Sequence, residues 1–127
     1  MWVSERFPLY EDERLDFWFN FKFSPDSKRL AYAAKWGGKE LVVENGVKGP
    51  KYDMIERLIF SPDSRRVAYV AQEGNKWVVV VDGKEEKKYD GIVTLGGGRV
   101  IFDSPDSLHY LAIEKGNKIY LVEEAIK

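Results

Sequence analysis

The tetrapeptide Ser24-Pro25-Asp26-Ser27 occurs three times in this chain and returns unchanged as Ser61-Pro62-Asp63-Ser64 and Ser104-Pro105-Asp106-Ser107. An apolar run precedes each copy, and a second apolar run follows it. Proline presets the first corner of a tight turn, and Asp and Ser side chains bond back to nearby backbone amides. Each copy therefore predicts a hairpin turn between two strands.

The repeat extends well beyond the turn. Residues 15–51 align with residues 52–88 without a gap, and 16 of the 37 aligned positions are identical. The third unit, residues 89–127, has drifted: it carries six extra residues before its turn, among them Gly96-Gly97-Gly98. A repeat length of about 40 residues indicates an architecture built from one supersecondary unit. The chain is thus predicted to be a single repeat domain, with residues 1–14 as a separate N-terminal strand.

Each unit predicts four strands joined by short turns. The third strand of the first two units ends at Asn45-Gly46 or Asp82-Gly83, which are type I′ hairpin signals. The predicted bounds of the first strands are 18–23, 55–60 and 99–102, and those of the second strands are 29–35, 66–72 and 108–114. The third strands are Lys39–Glu44, Lys76–Val81 and 118–123, and the fourth is a short charged run such as Lys84–Tyr89.

The faces of these strands predict how the units pack. The second and third strands are apolar on both faces, which is typical of strands covered on both sides, whereas the fourth is charged like an edge strand. No stretch shows the helical period of about 3.6 residues. The pattern predicts an all-β fold, a β-propeller with three four-stranded antiparallel blades. The residues predicted to pack between blades are Phe23, Phe60, Phe102, Tyr32 and Tyr69.

In the first two units the pattern Phe-Ser-Pro-Asp-Ser, two basic residues and Leu/Val-Ala-Tyr resembles the TolB-type, WD-repeat-like propeller repeat. It is also similar to the blades of the dipeptidyl peptidase IV and prolyl oligopeptidase propellers. Where that family usually has Gly, this chain has Ser27, Ser64 and Ser107, which predicts modest strain if the position needs a positive φ. The resemblance implies a non-catalytic binding or scaffold module for protein–protein contact. The alternative is an enzyme-associated or hydrolytic propeller, of the peptidase-gating or glycoside hydrolase type.

Two pairs, Tyr52-Asp53 and Tyr89-Asp90, are the candidates for a ligand-facing site repeated around a ring. The alternative is structural: Asp caps a backbone turn and Tyr packs between blades. We favour the structural interpretation, because Asp16 keeps the Asp without the Tyr. A residue present in every unit usually serves the unit.

The remaining chemical candidates are isolated. His109, the one histidine, aligns with Arg66 and has no Ser-His-Asp or metal-ligand spacing around it, so a surface histidine is predicted. Glu56 and Asp103 fall on or near first strands, but sequence cannot show that they form a catalytic pair. The Gly96–98 run lacks the following Lys-Ser/Thr of a phosphate loop. The aromatic run 17–23 predicts core packing, with some excess that could form a contact surface.

Composition excludes several function classes. The 20 basic and 21 acidic residues give a net charge of −1, without the one-signed field of a nucleic-acid binder. The lack of cysteine excludes disulfides, zinc–thiolate sites and thiol catalysis, and no cofactor is predicted. No apolar stretch approaches the ~18–20 residues that span a bilayer, so no membrane insertion is predicted. The compartment stays undecided, and the high charge content suits a thermostable protein.

Counting strands predicts the assembly. Propellers have at least about four blades, so three cannot close a ring. Residues 10–14 align with 47–51, the fourth-strand region, whereas the third unit stops after its third strand. Two copies related by a two-fold axis could exchange these strands and form a six-bladed homodimer. The rival is that the chain is half of a longer single-chain propeller.

Overall fold

The computed structural model describes residues 15–94, 99–116 and 118–126, and it describes side-chain surroundings from Phe19 onward. This part of the chain is all-β, with twelve strands and no helix. The strands of the first two units are β1 Leu15–Phe23, β2 Leu30–Trp36, β3 Lys39–Glu44, β4 Val47–Lys48, β5 Met54–Phe60, β6 Val67–Glu73, β7 Lys76–Val81 and β8 Lys84–Tyr89. Those of the third unit are β9 Gly91–Ile92, β10 Ile101–Ser104, β11 Ser107–Glu114 and β12 Lys118–Ala125.

The strands form three antiparallel four-stranded sheets, none of them closed. Sheet 1 has the order β1-β2-β3-β4 and sheet 2 the order β5-β6-β7-β8. In sheet 3, β12 pairs along the length of β11, and both β9 and β10 pair with the other edge of β11. The six extra residues of the third unit therefore split its first strand in two. Within the described ranges, no helix has the length and apolar character needed to cross a membrane.

Two apolar cores lie between the sheets. To compare the sheets, we use one cross-strand pair that occupies the equivalent repeat position in each of them. The pairs are Ala33–Val42, Val70–Val79 and Leu111–Leu121. The first pair is buried between sheets 1 and 2, and the second between sheets 2 and 3. We call the face that carries this pair the back face of a sheet and the opposite face its front face. Each back face packs on the front face of the next sheet, so the sheets stack in chain order.

Phe23 corrects the prediction that the phenylalanines before the turns are all buried. Phe23, Phe60 and Phe102 pair with equivalent residues and lie on the front faces of sheets 1, 2 and 3. Phe60 and Phe102 are half-buried against the cores that these front faces share with the preceding sheet. Phe23 belongs to the first sheet, which has no preceding sheet in the chain, and is 70% exposed. Tyr69 is buried between sheets 1 and 2, as predicted. Tyr32 is also buried, but on the front face of sheet 1 and not in a core between two sheets.

The first two Ser-Pro-Asp-Ser turns share one set of hydrogen bonds. The Ser24 hydroxyl donates to Asp26 over 2.5 Å and accepts the Arg29 amide over 3.0 Å. The second turn repeats the two bonds at 2.6 and 2.9 Å. The serine hydroxyl holds the pKa of each aspartate carboxyl below its usual value. The turns are also joined, because the Asp26 amide donates to the Ser64 hydroxyl over 3.0 Å.

The third copy has the same letters but a different turn. Ser104 pairs directly with Ser107, so Pro105 and Asp106 alone form the loop. The Asp106 carboxylate accepts a hydrogen bond from Arg66 of sheet 2 over 3.1 Å instead of bonding its own turn. The following strand therefore starts earlier relative to its tetrapeptide than in the other units.

This earlier start corrects the alignment of His109 with Arg66. Ala112 pairs with Ile92 as Ala71 pairs with Ile55, and the two isoleucines are equivalent in the repeat. Counting back along each strand places His109 on the back face of sheet 3, at the position of Ala68 in sheet 2.

The strain predicted for the serines that replace glycine can be tested by restoring glycine. Ser27 and Ser64 have φ values of 61° and 66°, whereas Ser107 lies in a strand. We expect Ser27→Gly to raise the free energy of unfolding by about 0.5–1 kcal/mol, because a left-handed conformation disfavours residues with a Cβ. Ser107→Gly is the matched control and should lower it. Chemical denaturation measures both; equal losses would contradict the assignment of strain to Ser27.

Candidate functional site

The Tyr-Asp pairs lie at the joints between sheets. Asp53 accepts hydrogen bonds from Lys39 of sheet 1 over 2.5 Å and from the Gly74 amide of sheet 2 over 2.8 Å. The lysine, and then the amide, hold the pKa of the Asp53 carboxyl below its usual value. Asp90 repeats this joint between sheets 2 and 3, with Lys76 at 2.5 Å and the Lys115 amide at 3.0 Å. Both carboxylates are thus engaged by the fold.

The tyrosines of these pairs pack inside the cores. Tyr52 and Tyr89 contact Tyr69 and Tyr110 edge to face, with ring centroids 6.4 and 6.2 Å apart. The Tyr52 hydroxyl donates to Glu85 over 2.7 Å. Burial, and then this bond, raise the pKa of Tyr52 well above its usual value. These contacts favour the structural interpretation of the pairs over a ligand-facing one.

His109 forms a close pair with Asp103 on sheet 3. Its Nδ1 lies 2.7 and 2.9 Å from the two oxygens of Asp103, an arrangement that orients the imidazole ring. In the described part of the chain, no hydrogen bond joins the other ring nitrogen to a nucleophile. The same ranges contain no group of three or more His, Asp and Glu side chains arranged to hold a metal ion. The Glu56 carboxylate accepts a hydrogen bond from Thr94 and does not bond His109 or Asp103.

A repeated irregularity shapes the edge of the stack formed by the first strands. β1 and β5 each contain a bulge, where two residues oppose one residue of the neighbouring strand. The residues that open the bulges, Asn20 and Arg57, are equivalent in the repeat and have φ values of 58° and 55°. A left-handed conformation is unusual for arginine, and bulges often lie beside binding sites. In the third unit, Thr94 occupies this position, and the insertion follows it.

Beside the bulges lies a cleft of about 620 Å³, which we call the inner-strand cleft. Three cationic side chains and one carboxylate line it: Lys22, Arg57, Arg99 and Glu56. Its other lining residues are Phe19, Asn20, Ile55, Leu58, Ile59, Thr94 and Val100. The Glu56 carboxylate accepts the Thr94 hydroxyl over 3.0 Å, and the Arg57 guanidinium donates to the Thr94 carbonyl. These bonds connect sheet 2 to the third unit across the cleft.

The second notable surface is the back face of sheet 3. Leu111 and Leu121 are 38% and 61% exposed, although the equivalent pairs of sheets 1 and 2 are buried. Ile101 and Ile119 lie on the same face and are also exposed. No strand among the described residues pairs with the outer edge of β12. This face is therefore mainly apolar, although His109 and its glutamate partner in β12 also lie on it. It ends in an open strand edge, and we call it the sheet 3 patch.

The front face of sheet 1 lies at the other end of the stack of sheets. Phe21 and Phe23 are 53% and 70% exposed, whereas their equivalents in sheet 2, Leu58 and Phe60, pack on sheet 1. The rest of this face is already buried in the single chain; its buried residues are Tyr32, Ala34, Leu41 and Val43. The core packing predicted for the run 17–23 therefore does not extend to Phe21 and Phe23, and a contact surface there stays a prediction.

No family model, curated protein or solved structure matches this chain. The TolB-type resemblance of the repeat therefore stays a prediction. Of the sequence candidates, residues 1–14 and Gly96-Gly97-Gly98 lie outside the described residues.

Sequence reasoning overlooked the inner-strand cleft, although one signal pointed to it. Asp16, Asp53 and Asp90 repeat in all three units, but the bulge position changes from Asn20 to Arg57 to Thr94. A position that differs between otherwise similar units is where a function of only one part of the molecule can reside.

Proposed function

We propose that the chain is a non-catalytic protein-binding module that forms a six-bladed β-propeller as a homodimer. The observation that carries this proposal is that the stack of sheets ends in an exposed back face at one end and a partly exposed front face at the other. The back face of sheet 3 exposes Leu111 and Leu121, and the front face of sheet 1 exposes Phe21 and Phe23. Within the chain, a back face packs on a front face at two places: between sheets 1 and 2 and between sheets 2 and 3.

The repeated packing of back faces on front faces favours a second copy of the chain as the partner that covers the two end faces. If the sheet 3 patch of one copy packs on the front face of sheet 1 of the other, the contact continues the stacking already present between sheets. A two-fold axis then satisfies both ends of both copies at once, because each copy supplies one back face and one front face. The ring has six sheets, which is a usual number for a propeller.

The open edge of β12 is the second support for this assembly. The first two units place a strand or short bridge beside their third strand, as β4 and β8 show, whereas β12 has an unpaired edge within the described residues. An open apolar edge strand is a template for pairing with another chain. We propose that residues 1–14 of the partner copy provide the missing strand.

Closure has one structural requirement. Tyr32, Leu41 and Val43 are already buried in the single chain. When the ring forms, contacts with the sheet 3 patch of the partner must replace the contacts that bury these residues in the single chain. Since the ring and the single chain then bury the same front face differently, they are alternative states of one sequence.

Light scattering after size exclusion tests the assembly. We expect a particle of twice the 14.7 kDa chain mass. Deleting residues 1–14 should shift the particle to the monomer, because the exchanged strand is lost. A stable, folded monomer of the full chain at high concentration would rule out the dimer. A dimer that survives the deletion would retain the face-to-face contact and contradict the strand exchange.

A further inference from the structure

The inner-strand cleft suggests what the binding module recognises. We propose that it binds an acidic peptide segment, with carboxylates held by Lys22, Arg57 and Arg99 and apolar side chains seated between them. This inference rests on the proposed binding function but not on the homodimer, because all the lining residues belong to one chain.

The charges of the cleft favour an anionic ligand. Three cations face one carboxylate there, although the whole chain has a net charge of −1. The Glu56 carboxylate is already engaged by the Thr94 hydroxyl. Neither Lys22 nor Arg99 forms an ion pair with a side chain in the described ranges. A concave site with excess charge of one sign concentrates ligands of the opposite sign.

The size and lining of the cleft favour a peptide over a free anion. A volume of about 620 Å³ far exceeds that of a single oxyanion and lies in the range of ligand sites, about 300–1,000 Å³. Phe19, Ile55 and Val100 add apolar groups to its lining. An extended peptide directs successive side chains to opposite sides. A segment that alternates acidic and apolar residues can therefore contact both the cations and the apolar groups.

The backbone at Arg57 supports a binding role. Arginine is held in a left-handed conformation that glycine or asparagine adopts with less strain, and the equivalent position in sheet 1 is Asn20. Such strain is concentrated at binding and catalytic sites, where the surrounding structure maintains it. The bulge gives the arginine a position that a regular strand residue would not have, beside Thr94 and the cleft.

Fluorescence anisotropy with two short labelled peptides tests the proposal. One peptide alternates Glu and Leu, and the matched peptide alternates Lys and Leu. We expect the full chain to bind only the acidic peptide, and more weakly as salt is raised. Arg57→Gln and Arg99→Gln should each weaken binding about tenfold, the usual scale for losing a hydrogen bond to a charged group. Lys118→Gln, an exposed cation of β12, is the control and should bind as the unaltered chain does.

Several outcomes would overturn the inference. Equal binding of the two peptides, or acidic-peptide binding unchanged in both arginine variants, would remove the cleft as the site. Inorganic phosphate that displaces the peptide at comparable concentration would make the cleft a site for small oxyanions. Circular dichroism verifies that each variant is folded, and Arg99→Gln decides the test if Arg57→Gln is not. Light scattering on the same samples separates the proposals, since a monomer that binds the peptide supports the cleft and contradicts the ring.

Discussion

Leu121→Lys is expected to convert the proposed dimer into a monomer without unfolding the chain. Leu121 is 61% exposed in the single chain, so a lysine there remains in water when the partner is absent. In the ring its side chain is buried twice, once at each of two identical contacts. Each buried leucine contributes about 1.5–3 kcal/mol, and a charge in an apolar contact adds a further cost. The dimer dissociation constant should therefore rise at least about a hundredfold, which corresponds to about 2.7 kcal/mol.

Val47→Lys is the matched control for this substitution. Val47 is 70% exposed and lies in β4, at the edge of sheet 1 rather than on either end face. The control should therefore leave the dissociation constant unchanged. Sedimentation equilibrium of the two variants gives the comparison, and circular dichroism monitors the fold. If Leu121→Lys leaves the dimer intact, the sheet 3 patch is not the contact surface.

Leu58→Ala is expected to lower the free energy of unfolding by about 2–5 kcal/mol. Leu58 is 1% exposed and lies in the core between sheets 1 and 2, so the shorter side chain leaves a cavity as well as losing apolar burial. Val47→Ala is the control at an exposed strand position and should cost less than about 1 kcal/mol. Urea denaturation measures both.

The Leu58 experiment also tests the bulge. Without the extra residue in β5, the alternation of side chains would reverse after Arg57, and Leu58 would leave the core. A loss below about 1 kcal/mol for Leu58→Ala would contradict the bulge and the stacking of the two sheets together.

Phe60→Ala is expected to lower the free energy of unfolding by less than the about 3–5 kcal/mol that a fully buried aromatic residue contributes. Phe60 is half-buried, because it lies where the front face of sheet 2 meets solvent. Burial depends on the neighbouring sheet, which a pattern within one strand does not reveal.

The amino-acid sequence determined the local elements. The bounds of β3, β7 and β8 match the prediction to the residue. Asn45-Gly46 and Asp82-Gly83 specify tight hairpin turns, and the composition of the flanking residues favours strands. The all-β class followed from the same signals. These features depend on residues a few positions apart, so they can be read without knowing what packs against them.

Tertiary structure decided the features that depend on neighbouring sheets. The tetrapeptide Ser104-Pro105-Asp106-Ser107 adopts a different turn from its two copies, because Ser104 pairs with Ser107 and Asp106 bonds Arg66 of another sheet. Phe23 is exposed and Phe60 is half-buried because only the second has a preceding sheet. The cleft exists because β1 and β5, far apart in sequence, bulge beside residues of the third unit that lie between β9 and β10. Equivalent residues thus acquire different roles from their place in the stack, which the repeat itself cannot encode.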